Sequence, residues 1–143
     1  MVNKYSYKIL QEKELIIEYV SGEITWKDVI ESKKRLIQDE NYNPNFDIID
    51  DIRDLDIHFE DKSEIQEFID FANKQSDFLG TRKSAVLKKS PNQFVNSEIL
   101  FSLNKSLPIS FRTFSTLSAA AKWIGIPIAE IQEIKQSFED LKT

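Results

Sequence analysis

Three places in the chain bring together residue types able to do chemistry. The first is Lys88, Lys89 and Ser90, which follow the apolar run Ala85-Val86-Leu87 and precede Pro91. Open α/β sheets take ligands beyond the carboxyl ends of their strands, and a helix N-terminus attracts anions. These residues are therefore small-ligand candidates. The plainer reading is a serine cap beside two solvated lysines. The second place is the acidic stretch of Asp47, Asp50, Asp51, Asp54, Asp56, Glu60 and Asp61. Clustered oxygens can hold Mg²⁺ or Ca²⁺, but this run lacks EF-hand spacing and the glycine that the loop needs. It reads as a solvated loop with strand-end carboxylates, and no metal is expected. Within it, Asp51 and Arg53 stand two apart and project to one side of a strand. An internal ion pair or a strand-end hydrogen bond is the first reading, and a partner contact the second.

The third place is Ser63, ahead of Glu64-Ile65 where a helix should begin. A hydroxyl there accepts first-turn N–H groups, which alone explains a serine. A phosphate on it would be favoured by the helix dipole and opposed by Asp61 and Glu64. Ser63 is thus a capping residue or a regulatory one. His58 is the single histidine, cysteine is absent, and the three glycines make no G-x-G phosphate loop. Nucleophile, base and metal partners that an active site needs are not identifiable, so the expectation is no enzyme and no cofactor.

The length suits one domain. A net charge of -5 argues against nucleic-acid binding, which needs a basic face. No apolar run reaches the roughly 18 residues of a membrane span, and Met1 to Leu10 carries no signal-like apolar core. The expected location is cytoplasmic.

The positioning elements follow from periodicity. Tyr5, Tyr7 and Ile9 alternate, as do Leu15, Ile17 and Tyr19, which predicts a β-hairpin. Ser21-Gly22 reads as the end of the second strand. Thr25, with Asp28 three residues on, reads as a helix start, and Trp26, Val29, Ile30, Lys33, Leu36 and Ile37 form its inner face. Lys33 lies on that face by its aliphatic stem. Phe46, Ile48 and Ile49 form a buried strand leading into Asp50 and Asp51, with Asp54 to Asp61 as a loop. A second helix carries Ile65, Phe68, Ile69 and Ala72. Ala85 to Leu87 is a strand, and Ser90-Pro91 starts a third helix with Phe94, Val95, Ile99 and Leu103. Ile109, Phe111 and Phe114 mark a last strand, and Ser115 caps a fourth helix ending at Gly125. Ile17, Trp26, Ile30, Ile48, Phe68, Val86, Phe111 and Trp123 are the expected core.

A fifth helix is predicted from Pro127 to Leu141, with Ile128, Ile131, Ile134, Phe138 and Leu141 as one stripe. It extends the domain of residues 1–126 over residues 127–143. The stripe must cover something: its own domain, the same stripe in a homodimer, or a partner. The order β-β-α-β-α-β-α-β-α-α gives an α/β fold, a mostly parallel sheet with one antiparallel N-terminal edge strand.

That order resembles the STAS and SpoIIAA-like families, which include anti-sigma-factor antagonists. The stretches that carry the resemblance are the strand ending Asp51-Ile52-Arg53 and the tail from Phe111 through Ala119-Ala120-Ala121-Lys122-Trp123-Ile124-Gly125. The opening strand pair and the Gly22 to Ile30 helix entry are similar too. The resemblance spans roughly residues 4 to 125. Anti-sigma antagonists carry an Asp-Ser/Thr-Ser-Gly type motif before the second helix, with a phosphorylated hydroxyl. Here the stretch reads Asp61-Lys62-Ser63-Glu64, without the glycine. The resemblance implies a non-catalytic regulatory or protein-interaction domain with an unidentified protein partner. A small-ligand or lipid-binding scaffold of the same fold is the alternative.

Overall fold

The alternation of Tyr5, Tyr7 and Ile9 forms strand β1 (Lys4–Leu10), which turns back through Gln11–Lys13 into β2 (Leu15–Glu23). The computed structural model describes residues 4–56, 62–75, 82–89 and 110–143. β1 and β2 pair antiparallel from Lys4↔Ser21 to Leu10↔Leu15. The turn needs no glycine, because Glu14 itself takes the left-handed conformation at φ 51°. β2 does not end at Ser21-Gly22. Gly22 adopts φ 83°, a value open to glycine, and still pairs with Leu55.

Thr25 begins helix α1 (Trp26–Gln38) with a reciprocal box. The Asp28 N–H donates to Thr25 Oγ1 at 3.2 Å, and the Thr25 N–H donates to the Asp28 carboxylate at 3.1 Å. Strand β3 (Asp47–Asp56) is longer than its apolar run suggests. Asp54 and Asp56 belong to the strand and not to a loop, because Leu55 between them is buried and paired. Helix α2 (Lys62–Lys74), β4 (Lys83–Leu87), β5 (Ser110–Phe114), α3 (Leu117–Ile124) and α4 (Ile131–Lys142) complete the described elements. Thr116, not Ser115, caps α3, accepting from the Ala119 N–H. The third helix expected from Ser90 to Leu103, with His58 and Ile109, lies outside the described residues.

The sheet runs β1-β2-β3-β4-β5, parallel except for the β1–β2 pair. Each parallel step moves one strand in the same direction. Right-handed crossovers then place the connecting helices on one face. α1 lies there, with Leu36 against Ile16, Ile48 and Phe46, and α2 meets it through Trp26 and Phe68, rings 4.9 Å apart. Such a sheet needs a separate cover for its other face. α3 and α4 supply it, packing Ala120, Ile134 and Phe138 on Leu15, Ile17, Tyr19, Ile49, Ala85 and Leu87.

The C-terminal stripe therefore packs on its own sheet. Ile134 and Phe138 are buried, and Ile131 and Leu141 half-buried. Ile128 departs from the stripe and is 88% exposed. A tight 3₁₀ turn over Ile128–Glu130 precedes α4 and rotates Ile128 off the apolar face. Of the expected core, Ile17 and Ile48 are buried, while Trp26, Ile30, Phe68, Val86, Phe111 and Trp123 are half-buried. No helix among the described residues is long and apolar enough to cross a membrane.

Candidate functional site

The parallel register of β2 and β3 sets Glu18 directly beside Asp50. Their side chains share the face under α1, where two adjacent carboxylates would repel each other. Lys33 descends from α1 and donates to both Glu18 oxygens, at 2.8 and 2.7 Å, and lies 3.8 Å from Asp50. The Glu18 side chain is 1% exposed and that of Lys33 16%. Tyr5 sits one pair further along the same face, on β1, with no well-formed hydrogen bond on its hydroxyl. Arg82, buried just before β4, lies close enough for its charge to reach Lys33 and Asp50.

These groups set one another's protonation. Burial alone would push Glu18 up, but the Lys33 charge and hydrogen bonds from Asp50 and Lys33 outweigh it and hold Glu18 at about 2. Burial and then the Glu18 charge push Asp50 well above the usual carboxylate range, with Lys33 offsetting part. Lys33 is raised despite burial, because Asp50 and Glu18 face it. Burial and the same two acids keep Tyr5 a neutral phenol. The arrangement is an ionised Glu18 beside an Asp50 carboxyl that holds its proton more tightly than usual, closed by an ammonium. It ties α1 to the sheet.

The opposite face carries the Asp51–Arg53 pair. Arg53 Nε and Nη2 each donate to a different Asp51 oxygen at 2.9 Å. The partner register explains the geometry. Between Tyr19↔Asp51 and Ser21↔Asp54, β3 carries one residue more than β2, a bulge that interrupts the ladder. The Arg53 backbone N–H donates to Asp51 Oδ1 at 3.1 Å. Asp51 is buried, so its carboxylate serves the bulge and the guanidinium together. Further along, Tyr19 donates to Asp54 at 2.7 Å, and the Lys142 ammonium lies 5.5 Å from the Tyr19 ring centre.

Lys88 and Lys89, two further sequence candidates, lie at the same end of the sheet. Asp51 pairs with Leu87, so Lys88 and Lys89 emerge beside the bulge. Lys88 is not solvated: it is 2% exposed, and its backbone N–H still bonds Phe114 O at 2.9 Å, because β4 is flanked on both sides. Lys89 is exposed, and Ser90 lies outside the described residues. α2 starts at Lys62, so Ser63 is exposed within its first turn and not ahead of it. Among the described residues, no group of three or more His, Cys, Asp or Glu is placed to hold a metal ion.

Glu18 was not singled out from the sequence, and Lys33 was read only as an aliphatic stem. The signal was present. Glu18 interrupts Leu15-Ile16-Ile17 and Tyr19-Val20 at a position whose period-two neighbours, Ile16 and Val20, are apolar. A charge there requires a partner, and Lys33 is the charge on the facing helix.

No protein-family model matches this chain, and no curated protein sequence matches it. Solved structures do match in fold. One is an uncharacterised DUF3478-family protein with a SpoIIAA-like fold from Shewanella loihica PV-4, with TM-score 0.61, 15% identity, and coverage of 87% of this chain and 96% of that one. Another is an anti-sigma factor antagonist from Mycobacterium paratuberculosis, with TM-score 0.51, 12% identity, and coverage of 85% and 94%. The described sheet and helices form an α/β domain with a SpoIIAA-like fold.

Proposed function

We propose that this chain is a non-catalytic regulatory domain that binds another protein through the carboxyl end of its sheet. The observation that carries this reading is where its buried and its exposed polar groups lie. Glu18, Asp50 and Lys33 are engaged with one another inside the molecule. The exposed polar residues Asp56, Ser63 and Lys89 lie at the carboxyl end of β3, in the first turn of α2 and just after β4, on the side where open α/β sheets present their ligand sites. A likeness in fold to an anti-sigma factor antagonist, over 85% of this chain and 94% of that one, supports an interaction module. Fold alone carries little functional weight, so the placement of the exposed polar groups carries the reading. Acidic composition and absent cysteine support a cytoplasmic setting.

The test is affinity purification of the tagged full chain, comparing wild type with the Asp56→Lys/Lys89→Glu variant. One bound protein lost from the variant, with an unchanged melting curve, supports the reading. Recovery of the same proteins by both, or a bound lipid or small molecule in native mass spectrometry with no protein partner, overturns it.

A further inference from the structure

Ala85 and Leu87 face the layer covered by α3, so Lys83, two residues before Ala85, shares that face. Arg112 pairs with Ala85 across β4 and β5 and shares it too. Both cations come to one indole. Lys83 Nζ lies 5.4 Å, and the Arg112 guanidinium carbon 5.8 Å, from the Trp123 ring centre. Phe114, two residues beyond Arg112, tilts against the same ring at 5.7 Å. Trp123 is half-buried, while Lys83 and Arg112 are exposed. Three elements thus build an aromatic floor with two cations at its rim.

Among the described residues, no salt bridge joins either cation to a carboxylate. The Lys83 ammonium donates to the Trp123 carbonyl at 3.2 Å, at the C-terminal end of α3, where a cation is favoured. The nearby Asp47 carboxylate is engaged by the Lys83 backbone N–H at 2.9 Å. The ring holds both cations by its quadrupole and leaves N–H donors for a ligand. An anion between them would also relieve their mutual repulsion.

We infer that Lys83, Arg112 and Trp123 form a docking site for an acidic peptide segment of a partner protein. Its carboxylates sit on the two cations and an apolar side chain sits on the indole. A membrane surface is the poorer match, because lipid-binding basic clusters use about four to eight cations and this chain is net acidic. The site is separate from the carboxyl-end surface, so either can fail without the other.

The test is an NMR titration of the full chain with a short Glu-rich peptide containing one leucine, reading the Trp123 indole N–H and Arg112 Nε–H signals. Both signals should shift and saturate, and the shift should weaken at higher salt. The Lys83→Ala/Arg112→Ala variant should keep its melting temperature and lose affinity by about tenfold or more. Lys83→Arg should retain binding. No shift in the wild type overturns the proposal, as does an equal shift in the double variant. Tighter binding to phosphatidylserine-containing vesicles than to the peptide also overturns it, in favour of a membrane surface.

Discussion

Lys33 of α1 grips both carboxylate oxygens of Glu18 on β2, at 2.7 and 2.8 Å, in a setting where the Glu18 side chain is 1% exposed. Breaking a buried pair by removing one partner leaves a charge with neither water nor counter-ion, at about 3–5 kcal/mol. Lys33→Ala leaves Glu18 and Asp50 facing each other. It should cost in that range by urea denaturation. A loss under about 1 kcal/mol, the value of an exposed pair, would show that water already reaches the cluster.

The two acids give opposite pH dependences. Glu18 is held at about 2 against its ordinary 4.5, so its contribution is full above the ordinary value and lost as pH falls toward about 2. Asp50 is raised above its ordinary 3.8, so its contribution is full below that value and is lost as pH rises through the folded one. Asp50→Asn keeps a neutral group beside Glu18 and removes the loss on the alkaline side. Melting temperatures from about pH 3 to about pH 8 should rise more steeply with pH in Asp50→Asn than in wild type. Parallel curves would contradict the upward shift of Asp50.

Phe138 and Ile134 fill the core under α4. Phe138→Ala should cost about 3–5 kcal/mol and Ile134→Ala about 2–5. Ile128, on the turn outside the helix, is 88% exposed, and Ile128→Ser should stay within about 0.5 kcal/mol of wild type. Equal effects at the three positions would mean that α4 does not cover the sheet in solution.

Thr25 and Asp28 satisfy two first-turn donors of α1 reciprocally. Thr25→Ala should cost about 0.5–2 kcal/mol, and Thr25→Ser much less. Hydrogen exchange along α1 is the check, with faster exchange expected at its first turn. Equal losses for both substitutions would point to the methyl group and not the cap.

Much of the fold was legible because its signals are local. The hairpin, the Thr25 start and the Ile134–Phe138 stripe all follow from spacing within one element. The errors came where a neighbouring strand decides the outcome. Asp54 and Asp56 look like loop residues until Leu55 is seen pairing with Gly22. Lys88 looks solvated until β3 and β5 enclose its strand. The Asp51–Arg53 pair was anticipated from i, i+2 spacing, but the bulge behind it depends on the register against Tyr19 and Ser21. The Glu18–Lys33–Asp50 cluster spans three elements, and only their packing brings the charges together.

The central claim is a protein-binding carboxyl end of the sheet, and lysine-directed cross-linking in living cells tests it most directly. Lys89 reports on that end, and Lys135, exposed on α4, serves as the reference. The account expects cross-links from Lys89 to a second protein in clear excess over those from Lys135. Cross-links from Lys89 that stay within this chain or join only copies of it would contradict the account.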